Sequence, residues 1–216
     1  MASVTSICNQ ALSHLGESPI TSIEESSVEG RSCKLHYDIT RDEQLRAHRW
    51  NFAQDRAILS RLSTTPVFGW SYQYRLPVDC LRALELNGSA DNDHLTDPWI
   101  VEGRNVLTNA EAARLIYTRQ ETDPSLYDSL FVKTFALALA IKLTEVIRGT
   151  TSKTSDLVSM YEQLDAPEAR RMDANEGKGR RKLISNSSPL LRARSHGAYG
   201  RVDPDTLLIS IEVPAT

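Results

Sequence analysis

"TDPSLYDSLFVKTFALALAIKLTEVIRG", residues 122–149, is the stretch whose period decides the fold class. Leu126, Leu130, Phe131, Thr134, Leu137, Ala138 and Ile141 leave more than half of a helical circumference apolar or small, so the spacing predicts a deeply buried helix. Asp123 stands as its N-cap, Pro124 at its first position and Gly149 as its terminator. At about 1.5–3 kcal/mol for each fully buried large side chain, this helix is expected to be the main stabilising element.

Just upstream, from Phe52 to Gln120, the texture is different. Short runs rich in aromatic and branched residues ("WSYQYRLP", "LRALELNG", "PWIVEG", "NVLTN", "ARLIYTR") are separated by Gly, Asn, Asp and Pro. Such alternation predicts a small, mostly antiparallel sheet. Within it "VEGRNVLT" reads as a hairpin, with Gly103 supplying the positive φ of a tight turn.

Helical period governs both flanks. Near the N-terminus Ser3 caps a helix whose stripe is Val4, Ile7, Cys8, Ala11, Leu12 and Leu15, with Gly16 just past its end. A second helix is expected from about Ser27 to His48, opened by a Ser26/Glu29 capping box and burying Val28, Leu35, Ile39 and Leu45. A fourth is expected to begin between Thr151 and Ser155, to use Leu157, Met160, Tyr161 and Leu164, and to bend or restart at Pro167. The expected architecture is therefore α+β: a four-helix bundle from residues 1–50 and 122–174, an inserted small antiparallel β-domain over 51–121, and an extended C-terminal arm over 175–216. The arm closes on "TLLISIEV", residues 206–213, a strand-like run suited to docking on something, such as a neighbouring subunit's sheet.

The totals are those of an ordinary soluble globular protein: 216 residues, 40% hydrophobic and 25% charged. No run approaches the roughly 18 apolar residues of a membrane span, and residues 1–10 lack the charge and apolar core of a signal peptide, so the expected setting is the cytoplasm or an assembly built there. Cys8, Cys33 and Cys80 are widely spaced and odd in number, which predicts reduced, buried thiols. The net charge of -3 hides an asymmetry: from Glu168 to Arg201 nine basic residues face three acidic ones, so that segment carries +6 and the remainder -9.

Chemistry-bearing constellations are sparse. Cys33, His36 and Asp38, or His14 with Cys8, are the nominal nucleophile sets, yet they lie on helices already explained by packing and lack any strained strand-turn-helix element. No phosphate loop, HExxH or EF-hand spacing occurs, and the histidines are scattered, so no catalytic residue, cofactor or metal is expected. The basic arm, with Lys178, Arg180, Arg181, Lys182, Arg192, Arg194 and Arg201, suits a phosphate backbone, an acidic protein partner or a plain solvated tail equally. Leu207, Leu208 and Ile209 supply its apolar docking side chains. "LRAHRWNFA", residues 45–53, sits where helix gives way to sheet; Trp50 and Phe52 are expected to pack in that seam as a hinge, with Arg46 and Arg49 covering it or meeting acids of a neighbouring subunit.

Three runs carry a family resemblance. "ICNQALSHLGESPITSIEESSVEGRSCKLHYDITRDEQLRAHRWNFAQDRAILS", then "YQYRLPVDCLRALEL", then "EGRNVLTNAEAARLIYTR" together resemble the head-to-tail adaptors of short-tailed bacteriophages, the tail tubular protein A family, over about residues 4–165. Its telling parts are Asn9, Ala11, Leu12, Leu15 and Gly16, the "HRWNFA" junction and "YRLPVDCLR". The resemblance implies a virion structural protein, not an enzyme: a twelve-subunit ring between the portal and the tail nozzle, with a lumen through which genome DNA passes without sequence-specific binding and without contact with a membrane. The competing expectation is a small DNA-binding accessory or packaging protein that uses the basic arm.

Overall fold

The computed structural model describes residues 2–90, 98–149 and 152–176, all within one compact unit. Helix α1 (Val4–Leu15) is closed at both ends by local bonds. Ser3 and Ser6 exchange side chain-to-backbone hydrogen bonds at the start. At the finish Gly16 adopts φ +74°, and the Glu17 N–H donates back to Leu12 O at 3.1 Å. Asn9 then holds the connector with a two-way clamp, donating to Ile20 O at 2.9 Å and accepting from Ile20 N at 2.8 Å.

Helix α2 (Val28–Ala47) departs from the sequence expectation in two ways. Its N-cap is Ser27, which accepts from Gly30 N at 3.1 Å, so the Ser26/Glu29 box does not form. Its inward face is Cys33, Tyr37, Thr40, Arg41, Gln44 and Leu45, whereas Val28, Leu35 and Ile39 point outward and are 50%, 64% and 59% exposed. The physical reason is that Gln44 and Arg41, the two most polar of these inward residues, have partners. Gln44 accepts from Tyr161 Oη and, through its carbonyl, from Trp50 Nε1; Arg41 lies between Asp38 and Asp42. Tyr37 stacks at 5.0 Å on Phe135, which sets the rotation of the helix.

The strands are β1 (Gln54–Ile58), β2 (Tyr72–Arg75), β3 (Cys80–Leu86), β4 (Ser89–Ala90), β5 (Trp99–Glu102), β6 (Asn105–Thr108) and β7 (Arg114–Arg119). All the pairings are antiparallel, in one sheet of order β1-β7-β3-β4 and another of order β2-β6-β5. Tyr74, Trp99 and Val106 of the second sheet share a core with Cys80, Ala83, Leu86, Leu115 and Tyr117 of the first, so the two sheets face each other. The expected hairpin is present between β5 and β6, with Gly103 at φ +60° in a two-residue loop.

Helix α3 (Ser129–Ile147) is the centre of a separate helical core; α1 and α2 both pack on it. It starts later than the spacing predicts. Pro124–Leu126 forms a separate 3-10 turn under Asp123, and Asp128 caps α3 by accepting from Leu130 and Phe131 N–H groups. The break lies at Tyr127 and Asp128, whose extended backbones (ψ 135° and 147°) separate the two helical pieces, while the Tyr127 hydroxyl donates to Glu121 O at 2.9 Å and its ring meets Phe131 edge-on. Leu126, expected to point inward, is consequently half exposed.

The last helical stretch is α4 (Ser152–Met160), a π turn (Tyr161–Asp165) and α5 (Ala166–Glu176). The turn is widened, with Ala166 N–H reaching Tyr161 O, just before Pro167, whose ring has no N–H to donate and would crowd the carbonyl four residues back. Helix thus continues to Glu176, past the expected boundary at 175. The remainder of the expected arm lies outside the described residues.

Candidate interaction surfaces

The helix-to-sheet junction is the most elaborately bonded point of the chain. At the end of α2, His48 takes an extended conformation, and its Nε2 lies 3.0 Å from Asp173 Oδ2 on α5. The same carboxylate accepts the Asn51 backbone N–H at 2.8 Å, and Asn51 Nδ2 donates to Asp173 O at 2.6 Å. This one residue, nearly buried, therefore ties α5 to His48 and Asn51 of the junction through three hydrogen bonds.

Trp50 is 2% exposed and packs edge-on against Phe131 at 5.1 Å, with its Nε1 donating to Gln44 O at 2.9 Å. Phe52 meets Phe131 and Tyr127 at 5.0 and 5.8 Å. Trp50 belongs to the helical core, and Phe52 packs against it partly buried. The link to the sheet is made instead by Arg46, which donates to Leu81 O, and by Arg49, which pairs with Glu85 at 2.7 Å. Within the chain these arginines bond to the Leu81 carbonyl and the Glu85 carboxylate.

A second polar seam joins α2 to the β7–α3 connection. Gln120 Nε2 donates to Asp42 at 2.6 Å, Arg119 pairs with buried Glu121, and Glu121 also accepts from Asp123 N at 3.0 Å. Burial pushes the neighbouring Tyr127 phenol up to about 12. On α3, Lys133 pairs with buried Asp165 at 2.7 Å; that hydrogen bond raises the Lys133 pKa above its ordinary value.

The nominal nucleophile sets are not assembled. Cys33 is fully buried against Cys8, and its hydrogen bond, with burial behind it, pushes the Cys8 thiol far above the ordinary range. Asp38 is on the exposed side of α2, engaged by Arg41 at 2.7 Å. Cys80 is buried between the sheets and pushed up to about 11. Among the described residues no group of three or more His, Cys, Asp or Glu is placed to hold a metal ion, and no helix is long and apolar enough to cross a membrane.

What the molecule presents to solvent is a set of unpartnered faces. The outward stripe of α2 is one, and the β1–β2 loop is another, with Val67 and Phe68 almost fully exposed at its tip. The third is a cleft of about 480 Å³ where Arg46, Arg82 and Arg104 come together beside Leu81, Ile100 and Val101. The cleft escapes sequence reasoning because its three arginines stand 36 and 22 positions apart, on α2, β3 and the β5–β6 loop. The stripe has a visible signal, the apolar residues of α2 lying on two opposite faces, but no spacing rule tells which face goes inward.

Lys178, Arg180, Arg181, Lys182, Arg192, Arg194, Arg201, Leu207, Leu208 and Ile209 lie outside the described residues. A scan against protein-family models finds no match, and no curated protein matches the chain at a significant level.

Proposed function

We propose that this chain is a head-to-tail adaptor of a short-tailed bacteriophage, one subunit of a twelve-membered ring between the portal and the tail nozzle. In this reading α1, α2, α3 and the α4–α5 stretch act as a four-helix bundle, and the segment beyond Glu176 is an extended arm that grips the portal or an adjacent subunit. Lys178, Arg180, Arg181, Lys182, Arg192, Arg194 and Arg201 supply the charge of the grip; Leu207, Leu208 and Ile209 supply its apolar contact. Genome DNA passes the lumen without sequence-specific binding, the role is structural and not catalytic, and the protein resides in the virion after assembly in the host cytoplasm.

The observation that carries the reading is the ordered series of three sequence runs, whose telling residues coincide with joints of the fold. Asn9 clamps Ile20, Gly16 ends α1, "HRWN" is the Asp173-bound junction, and "YRLPVDCLR" is the β2–β3 turn whose Pro77, Val78 and Cys80 carbonyls all accept from Arg104. The apolar outer stripe of α2 adds support, since a ring subunit presents different patches to its two neighbours. An acidic remainder outside the basic segment suits a channel that must not hold phosphates.

The test is native mass spectrometry or cryo-electron microscopy of the protein mixed with the portal of the same phage. Twelve-membered rings on the portal are expected. Absence of rings, together with salt-sensitive DNA binding by the free monomer, would establish the packaging or accessory role instead.

A further inference from the structure

Arg46, Arg82 and Arg104 reach one cleft from three separate elements, and no carboxylate among the described residues lines it. None of the three forms an ion pair among the described residues. Two are held in place by neutral groups: Arg104 donates to Cys80 O at 3.3 Å, to Val78 O at 2.9 Å and to Pro77 O, while Arg46 donates to Leu81 O. Carbonyl partners orient a guanidinium without neutralising it. Arg82 is exposed, and its side chain makes no hydrogen bond among the described residues.

Of the described acids nearest in sequence, none pairs with these arginines. Glu85 is taken by Arg49 at 2.7 Å, Asp79 accepts from Tyr117 Oη at 3.3 Å, and Glu102 lines a different cleft beside Phe68 and Trp70. Three converging like charges in a recess raise the local potential and favour an anionic occupant. The rim adds a second requirement, because Ile100 and Val101 are exposed there and Leu81 is half-buried. A phosphodiester strand would find no stacking platform, Trp99 being buried. The cleft asks for a chain that is both acidic and apolar.

We propose that the occupant is residues 203–216 of a second copy of this chain, "DPDTLLISIEVPAT". That segment carries Asp203, Asp205 and Glu212 and no Lys, Arg or His, the reverse of the +6 stretch that precedes it. Leu207, Ile209, Ile211 and Val213 share one side of an extended chain, opposite Thr206, Leu208, Ser210 and Glu212, which gives a strand with a greasy side for Ile100 and Val101. Its acids meet Arg82, Arg46 and Arg104 in charge-assisted bonds. The contact joins one patch to a different patch, so it propagates from copy to copy. This inference rests on the proposed docking role of the arm and names its seat on a neighbour; it does not depend on the phage assignment.

The test uses the full chain carrying Asp203→Lys, Asp205→Lys and Glu212→Lys, whose own tails no longer compete, titrated against a fluorescein-labelled peptide of residues 203–216. Saturable binding that weakens with salt is expected, with R82E in the same chain lowering affinity by roughly tenfold. The peptide bearing the three lysines should not bind. Sedimentation velocity of the unaltered chain should show concentration-dependent association that R82E abolishes, while the melting curve of R82E stays unchanged because Arg82 holds nothing within the fold. Peptide affinity indifferent to R82E, displacement of the peptide by a duplex DNA oligonucleotide, or a chain that stays monomeric at every concentration would each overturn the proposal. None of these measurements involves a portal, so their failure and the failure of ring assembly are read separately.

Discussion

Asp173 shows how much one side chain can organise. Replacing it with alanine strands the Asn51 N–H and the His48 ring at a nearly buried site. The expected loss is about 1–3 kcal/mol per stranded donor, read as a shift in the urea midpoint. Trp50→Ala removes the centre of an aromatic cluster formed with His48, Phe52 and Phe131 and should cost on the order of 3–5 kcal/mol by the same measurement. The buried weak acids set an alkaline limit. Cys80 rises from 9.0 to about 11, and Tyr117 and Tyr127 from 10.0 to about 12, chiefly by desolvation. In each case the folded state keeps its proton where the unfolded chain has lost it, so the folded state binds more protons and stability falls as pH rises from about 9 toward 12. Urea midpoints measured at pH 8, 9.5 and 11 should decline in that order; a flat profile would show these groups titrate alike in both states.

At the scale of the element, α2 is the informative case. Its apolar residues fall on two faces, and the face chosen for the core is the one on which Gln44 and Arg41 find partners in Trp50, Tyr161 and the flanking aspartates. The face left over is Val28, Leu35 and Ile39. Leu35→Lys with Ile39→Lys should alter thermal stability by no more than about 0.5 kcal/mol per site, because none of the described residues covers them. On the adaptor reading the same double variant should lose ring formation on the portal, as scored by electron microscopy. The π turn between α4 and α5 is a local answer to Pro167, and Pro167→Ala should let that stretch close into regular α-helix, visible as restored four-residue carbonyl bonding in amide exchange.

The whole molecule has two cores, one among the helices and one between the sheets, tied by Arg46, Arg49 and Gln120 across their border. Among the described residues neither core draws on positions beyond 169, and deletion of residues 177–216 is expected to leave the melting transition in place. On the adaptor reading that truncated chain should attach to the portal more weakly; unchanged attachment would assign the grip to the body. The alternation of helix, sheet and helix was legible from period alone, as were the Ser3 and Gly16 ends of α1 and the Gly103 hairpin. The junction cluster was legible as a place, though its bonds to Asp173, 122 positions away, were not.

What the sequence by itself determined is what depends on neighbours within one turn or one hairpin: caps, glycine conformations, and the switch from a period of 3.6 to one of 2 and back. The three-dimensional packing alone decided which side of α2 faces the core, that α3 begins at Ser129 beneath Tyr127, and that three distant arginines share one cleft. Those choices rest on contacts between residues tens of positions apart. An amphipathic pattern states that a face will be buried; only the partner that buries it settles which one.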